Sequence, residues 1–190
     1  MADFTLHTPD TAPEGSKAAL AEVGKNWGFT PSMHATLAES PAALIGYETL
    51  FGQIAASSLS AIEQQVAFQA VNVLHSCGYC VMGHTFLSRQ AGMDEETVLR
   101  LREGRAPKDA KLAALYAFTR QVAEKRGEAQ DAVAGFLRAG YTKANVLDVV
   151  ALIAAKTISN YAAALTGLPN EAFMSDPALA WTPEMAAAAE

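Results

Sequence analysis

Along most of this 190-residue chain, apolar residues recur every three or four positions, the spacing that places them on one face of an α-helix. Ile62, Val66, Ala70 and Val73 follow one another in this way. No long stretch alternates apolar and polar residues as a half-buried strand does, and no Asn-Gly or Asp-Gly hairpin signal occurs. The pattern therefore predicts an all-α fold.

Helix start and stop signals divide the chain into consecutive helices. Ser40 and Pro41 are an N-cap followed by proline, and Ser60 with Glu63 is a capping box. The predicted helices cover residues 13–25, 33–39, 41–56, 60–75, 77–90, 94–104, 107–126, 128–139 and 142–165. From Pro169 the tail is predicted to be irregular, with a fraying Ala-rich end. With no linker or repeat, we expect residues 1–190 to form a single domain.

The composition excludes some classes of protein. The chain is 51% hydrophobic and 18% charged, which is ordinary for a globular protein. Its formal net charge of −6 and isoelectric point near 5.2 argue against nucleic-acid binding, which needs basic faces.

The chain is predicted to be cytoplasmic. Its N-terminus lacks the basic and apolar regions of a secretory signal. The most apolar stretch, residues 146–165, contains Asp148, Lys156 and Asn160, so we interpret it as a buried helix rather than a membrane span. Thiols in the cytosol stay reduced, so a pair of cysteines there favours catalysis over a permanent crosslink.

The only two cysteines of the chain, Cys77 and Cys80, precede His84 in the segment CGYCVMGH. On a helix the three side chains share an arc of about 60°. Unpaired N–H groups at a helix start favour a thiolate, and His84 can take the thiol proton or, once protonated, stabilise the anion. Residues three apart on a helix also have Cα atoms roughly 5 Å apart, which a disulfide accepts. The spacing therefore predicts a redox-active dithiol.

The same segment is compatible with three roles besides redox catalysis. A structural disulfide closing so short a loop would remove little entropy from the unfolded chain. Zinc could bind Cys77, Cys80 and His84, but His75 is the only nearby fourth ligand and no second ligand pair exists. The two thiols could also simply pack in the core. We favour redox catalysis and expect no metal.

Residues 59–92, which include LSAIEQQVAFQ and CGYCVMGHT, resemble the core of the alkylhydroperoxidase D-like (AhpD-like) group of the carboxymuconolactone decarboxylase superfamily. Residues 145–167 also resemble the later core helix of that group. The resemblance implies an all-helical AhpD-like bundle that assembles into homo-oligomers, as trimers, multiples of trimers or dimers. It also implies a redox core at about residues 59–92. The charge and the polar residues of the apolar stretch, described above, predict no contact with nucleic acid or membrane.

The resemblance also implies roles for individual residues. Cys80 matches the cysteine that attacks a hydroperoxide, Cys77 the one that resolves the sulfenic acid, and His84 the histidine of the proton relay. An external dithiol reductant protein, lipoyl-linked in the best-known members, would regenerate the site, and no bound cofactor is needed. The implied activity is a peroxiredoxin-type reduction of organic hydroperoxides, an antioxidant oxidoreductase reaction.

Gln65 departs from the pattern of the family. The peroxidases of the family usually carry a glutamate at this position, twelve residues before the first cysteine. An amide cannot relay a proton at neutral pH, so we interpret Gln65 as a neutral hydrogen-bonding substitute that leaves His84 less basic. The type reaction of the family therefore does not follow automatically. The alternatives are a decarboxylase-like lyase or isomerase that uses His84 on a small acid or lactone, and a non-enzymatic thiol or zinc sensor.

Other residues carry weaker signals. Tyr79, between the cysteines, is a candidate pocket residue that we expect to pack with its hydroxyl partly exposed. His75 is explained by its position at a helix end. His34 lies outside any constellation that the sequence defines, and Trp27 and Phe29 are assigned to the core or an interface.

Overall fold

The computed structural model describes residues 3–187, in which ten α-helices and one short 3₁₀ helix are present. The helices are α1 (Glu14–Trp27), α2 (Ser32–Leu37), α3 (Pro41–Ala55), α4 (Ala61–Leu74), α5 (Gly78–Gln90), α6 (Glu95–Arg102), α7 (Ala110–Glu124), α8 (Gln130–Arg138), α9 (Lys143–Thr166) and α10 (Pro183–Ala187), with the 3₁₀ helix at Ala172–Ser175. The described residues contain no strand. The prediction of an all-α fold is confirmed.

Side-chain caps explain where several helices begin. Ser60 and Glu63 form the predicted capping box at α4, and Glu63 also pairs with Lys111 at 2.8 Å. The prediction that the seventh helix begins at Pro107 is wrong. This helix begins at Ala110, because the Asp109 side chain accepts the N–H of Leu112 and caps it.

Helix α4 forms the centre of the bundle. It packs against α5, α6, α7 and α9, and its residues from Val66 to Val73 are buried. Helix α9 in turn packs against α3 and α4. Because α5 and α9 both contact α4, residues far apart in sequence meet between these three helices.

Helix α9 is the one helix among residues 3–187 that is long and apolar enough to cross a membrane by length and composition. Core helices of globular proteins pass the same test. Lys156 and Asn160, two of the polar residues noted in the sequence, are buried on its inner face.

The tail is more ordered than the sequence indicates. Met174, Leu179 and Trp181 are buried, and the indole Nε1–H of Trp181 donates to the carbonyl of Arg102 at 2.7 Å. Trp181 also lies over Gly78 at the start of α5. The tail was predicted to be irregular because it lacks helical periodicity, but its apolar side chains cover the end of the bundle. The Ala-rich end that was predicted to fray begins within α10 (Pro183–Ala187), and its residues 188–190 lie outside the described residues.

Candidate active site

A tight turn between α4 and α5 positions the two cysteines. Ser76 has a left-handed backbone with φ of 53°, and the N–H of Cys77 donates to the carbonyl of Asn72 at 3.0 Å. Cys77 is the N-cap of α5, and Cys80 lies in its first turn. The predicted restart of the helix at Cys77 is therefore confirmed to within one residue.

Buried amide side chains hold this turn in place. Asn72 donates to the carbonyl of Cys80 at 3.3 Å, and Gln69 donates to the carbonyl of Val81 at 3.1 Å. Asn160 of α9 donates to Asn72 at 3.0 Å, which ties the turn to the facing helix. Buried amides joined in this way restrict the position of the cysteine backbone, because breaking any one bond would leave a buried polar group without a partner.

Both cysteines are free thiols and buried, with exposed fractions of 8% for Cys77 and 3% for Cys80. Burial alone would raise the pKa of the Cys80 thiol. A hydrogen bond from Cys77, the positive charge of Lys156, and hydrogen bonds from Asn160 and Ser159 outweigh it and lower that pKa to about 6. The hydrogen bond that Cys77 donates to Cys80, together with burial, raises the pKa of Cys77. The pair therefore consists of a thiolate at Cys80 and a thiol at Cys77 at neutral pH.

Lys156 is a candidate site residue that the sequence did not single out. Its side chain is only 1% exposed, and its Nζ lies 5.9 Å from the ring centroids of both Phe51 and Phe68. Burial lowers the pKa of Lys156, while the negative charge of the Cys80 thiolate opposes that change. No carboxylate of residues 3–187 forms an ion pair with it. The sequence contained one signal, a lysine within an apolar stretch.

His84 lies between Lys156 and Gln65. Its Nδ1–H donates to Oε1 of Gln65 at 2.8 Å, and its Nε2 accepts from Nζ of Lys156 at 3.1 Å. Burial, and then the charge of Lys156, lower the pKa of His84 well below its ordinary value. The imidazole is therefore neutral at physiological pH, and both of its ring nitrogens are engaged. The position singled out as the relay partner, Gln65, is in direct contact with His84.

Cys80, His84 and Lys156 line one cavity of about 320 Å³. Most of its wall is aromatic or apolar, and the Trp, Phe and Tyr side chains are Trp27, Phe29, Tyr47, Phe51, Tyr79, Phe86 and Phe173. Trp27 and Phe29 are 43% and 42% exposed, so they are not core residues, and the interface alternative stays a prediction. A cavity of this size and lining suits a small organic molecule with an apolar body.

A second polar pair, His34 and Glu48, lies in the wall of the same cavity. The Nε2 of His34 is 2.9 Å from Oε1 of Glu48, and the His34 ring contacts Tyr47 at 5.5 Å between centroids. The Nδ1 of His34 is buried and has no hydrogen-bond partner among residues 3–187. The pair could not be predicted from sequence spacing, because His34 lies in α2 and Glu48 in α3, and the two residues meet only through the packing of these helices.

Cys77 does not line this cavity. It lines a smaller groove of about 200 Å³ on the other side of the turn, together with His75 and Asn160. Tyr79 lines both, and its hydroxyl donates to Glu171 at 2.6 Å. Burial, and then the hydrogen bond to Glu171 and its charge, raise the pKa of Tyr79. Tyr79 is thus neutral and separates the two openings.

Among the described residues, no three or more His, Cys, Asp and Glu side chains are grouped so that they could hold a metal ion. His75, the one nearby candidate for a fourth zinc ligand, instead forms a hydrogen bond with Oδ1 of Asn160 at 3.0 Å through its Nδ1. Because Asn160 offers its oxygen here, Nδ1 of His75 carries the proton and donates.

Comparisons with known proteins agree with this description. Residues 41–124 match the model of the carboxymuconolactone decarboxylase family. The fold resembles the AhpD core structure of an uncharacterized peroxidase-related protein from Ralstonia eutropha JMP134, with a TM-score of 0.78 and 19% identity over 90% of this chain and 92% of that one. A peroxidase-related protein from Silicibacter sp. TM1040 has a TM-score of 0.75 and 18% identity over the same shares of the two chains.

A third similar structure is a cysteine-to-alanine variant of the debrominase Bmp8 in complex with 2,3,4-tribromopyrrole. Its TM-score is 0.69, with 17% identity over 90% of this chain and 92% of that one. The search of curated proteins found no significant match. The match over residues 41–124 and the two peroxidase-related structures together show that this chain has the AhpD-like helical fold and resembles the carboxymuconolactone decarboxylase family.

Proposed function

We propose that the chain is a thiol-dependent peroxidase that reduces organic hydroperoxides with Cys80 and Cys77. The observation that carries the proposal is the position of Cys80, whose pKa is lowered to about 6, on the wall of an apolar cavity next to the buried Lys156. A reactive thiolate is the species that attacks a peroxide. A second thiol, Cys77, lies close enough to hydrogen-bond to it.

In the proposed first step, the thiolate sulfur of Cys80 attacks the terminal peroxide oxygen, and the O–O bond breaks. The leaving alkoxide takes a proton and departs as an alcohol, while Cys80 becomes a sulfenic acid. In the second step the sulfur of Cys77 attacks Cys80, the S–O bond breaks, and hydroxide leaves with the thiol proton of Cys77 as water. The peroxide has then gained two electrons and the cysteines form a disulfide.

Lys156 supplies both charge and a proton in this scheme. Its positive charge stabilises the Cys80 thiolate, and an ammonium of lowered pKa is a good acid for the departing alkoxide. His84 accepts a hydrogen bond from Lys156 and donates one to Gln65, so it holds the ammonium in place. The proton relay expected from the resemblance would then run through Lys156, with His84 positioning it.

Thiol titration tests the proposal. Reduced protein treated with cumene hydroperoxide is expected to lose both titratable thiols and to release one cumyl alcohol per disulfide. Cys80→Ser should abolish the reaction, and Cys77→Ser should stop at a sulfenic acid that dimedone traps. Unchanged thiols under excess hydroperoxide would contradict a peroxidase function. An activity on lactones that survives Cys77→Ser would favour the decarboxylase-like alternative, and stoichiometric zinc in purified protein would favour a sensor.

The aromatic wall of the cavity favours a second candidate, reductive dehalogenation of a small halogenated aromatic compound. The similar structure of Bmp8 is that of a debrominase, in complex with 2,3,4-tribromopyrrole. In such a step the Cys80 sulfur would take the bromine, the C–Br electron pair would stay on carbon, and carbon would gain a proton. Cys77 would then displace bromide and form the disulfide. Bromide release from a bromopyrrole, without loss of thiols to cumene hydroperoxide, would select this reaction.

A further inference from the structure

The two cysteines of the dithiol open to different sides of the protein. Cys80 lines the aromatic cavity and Cys77 lines the smaller groove; of the residues around the two, only Tyr79 belongs to both. A substrate in the cavity therefore reaches Cys80, whereas a molecule in the groove reaches Cys77. Neither opening gives direct access to both sulfurs.

The groove differs from the cavity in its lining. Its walls include the small residues Ala163, Ala164 and Gly167 near the end of α9, together with His75 and Asn160. Among its lining residues there is no Asp, Glu, Lys or Arg. Its volume of about 200 Å³ and its uncharged walls suit a slender, neutral molecule.

We propose that this groove is the entry for the reductant, a neutral aliphatic dithiol that attacks the sulfur of Cys77 in the oxidised protein, while the oxidising substrate enters by the aromatic cavity. The inference rests on the proposed thiol chemistry and adds the face by which the reductant enters and the sulfur that it attacks.

The dithiol supplies the two electrons that reduce the disulfide of the protein. One thiolate of the reductant attacks Sγ of Cys77, the Cys77–Cys80 bond breaks, and its electron pair goes to Sγ of Cys80. The second thiolate of the reductant then attacks the reductant sulfur that is bonded to Cys77 in the mixed disulfide, and the reductant closes into a cyclic disulfide. Cys77 leaves as a thiolate and takes up a proton. The reductant is oxidised by two electrons, and the protein regains one thiolate and one thiol.

The charges at the site favour this direction of attack. Thiol–disulfide exchange is faster when the leaving sulfur is the better-stabilised thiolate. Lys156 stabilises the anion on Cys80, whereas the neighbouring Cys80 and burial destabilise an anion on Cys77. Access and leaving-group stability therefore select the same sulfur, Cys77, as the point of attack.

Three alanine-to-phenylalanine variants separate the two faces. Ala164 lines the groove, Ala55 of α3 lines the cavity, and Ala154 of α9 lines neither, although all three are exposed. The disulfide is first formed with diamide, so its formation does not depend on peroxidase activity. Its reduction by dithiothreitol is then followed by acid quenching and thiol alkylation.

We expect Ala164→Phe to slow reduction by about tenfold or more, because exchange depends on access to the attacked sulfur. Ala154→Phe and Ala55→Phe should leave that rate within about twofold. Oxidation by cumene hydroperoxide should show the opposite pattern, slow in Ala55→Phe and unchanged in Ala164→Phe. Circular dichroism checks the fold of each variant, and Ala164→Leu replaces Ala164→Phe if the larger side chain disturbs it.

A direct measurement identifies the attacked sulfur in the unmodified protein. The diamide-oxidised protein is treated with 2-mercaptoethanol, the mixed disulfide is trapped by acid, and fragment masses locate it. It is expected on Cys77, and finding it on Cys80 would overturn the inference, as would unimpaired reduction of Ala164→Phe or Ala164→Leu. Failure of the proposed function looks different, because no disulfide would then form with hydroperoxide or organohalide while the diamide experiment still reports the route of reduction.

Discussion

The Nζ of Lys156 lies 3.1 Å from Nε2 of His84, although 72 residues separate the two along the chain. The lysine comes from α9 and the histidine from α5, and both are buried next to Cys80. Since the other ring nitrogen of His84 is bound to Gln65, the imidazole can only accept from Lys156. The contact gives His84 one defined tautomer and gives the thiolate a fixed cation.

Removal of the lysine charge should raise the pKa of Cys80. In Lys156→Met we expect this pKa to rise from about 6 to above about 8, because desolvation is then no longer opposed by the cation. Alkylation by iodoacetamide at pH 7 should slow by at least about tenfold, since only a few per cent of the thiol would be ionised. The rate is measured from pH 4 to 10.

The matched control for this variant is Lys143→Met, which removes an exposed lysine at the start of the same helix. Its alkylation profile should coincide with that of the wild type. An unchanged midpoint in Lys156→Met would show that the cation does not set the reactivity of Cys80.

Two replacements of Gln65 should affect different properties of the protein, its stability and the pKa of His84. Gln65→Leu leaves the buried Nδ1–H without an acceptor, and we expect the free energy of unfolding to fall by about 1–3 kcal/mol. Gln65→Glu places a negative charge against Nδ1 and should raise the pKa of His84 from its depressed value. Denaturant unfolding measures the first effect, and NMR titration of the imidazole carbon-bound protons measures the second.

A His84 titration that is identical in Gln65→Glu and in the wild type would contradict the observed contact. Glu48→Gln serves as the control, because it changes the charge of another residue lining the cavity, one bound to His34 and not to His84.

The capping box of α4 predicts a pH-dependent contribution to stability. Burial would raise the pKa of Glu63, but hydrogen bonds to Lys111 and to Ser60 outweigh burial and lower it. A group with a lowered pKa stabilises the fold above its unfolded pKa, and this contribution is lost as the pH falls through the folded pKa. Glu63→Ala should therefore cost about 1 kcal/mol at pH 7 and much less near about pH 3.

Thermal unfolding at both pH values checks this difference. Glu128→Ala, at an exposed position outside any helix, should behave like the wild type at each pH. A deficit for Glu63→Ala that persists unchanged in acid would assign its effect to packing rather than to charge.

Trp181 is expected to anchor the tail to the bundle. Trp181→Ala removes a buried ring and its hydrogen bond to Arg102, so we expect a loss of about 3–5 kcal/mol in the free energy of unfolding. Trp27→Ala removes a tryptophan that is 43% exposed and should cost much less. Urea denaturation compares the two, and equal losses would show that the tail does not contribute to the core.

The helices could be predicted from the sequence because their causes are local. Apolar spacing and caps such as Ser60 act within a few residues, so eight of the nine predicted helices agree with the structure to within two residues at each end. The start at Pro107 failed for a local reason as well, since Asp109 offers the better cap. The tail failed for a different reason, because only the surface that it covers makes Trp181 a core residue.

The sequence by itself determined the all-α fold, the placement of Cys80 and His84 on one helix with Cys77 at its start, and Gln65 as the residue that contacts His84. Only the tertiary structure decided that Cys80 lines the aromatic cavity and Cys77 the smaller groove, and it placed Lys156 beside Cys80. The physical reason is that electrostatic stabilisation depends on distance and burial. Both quantities follow from the packing of α5 against α4 and α9, which no local pattern in the chain encodes.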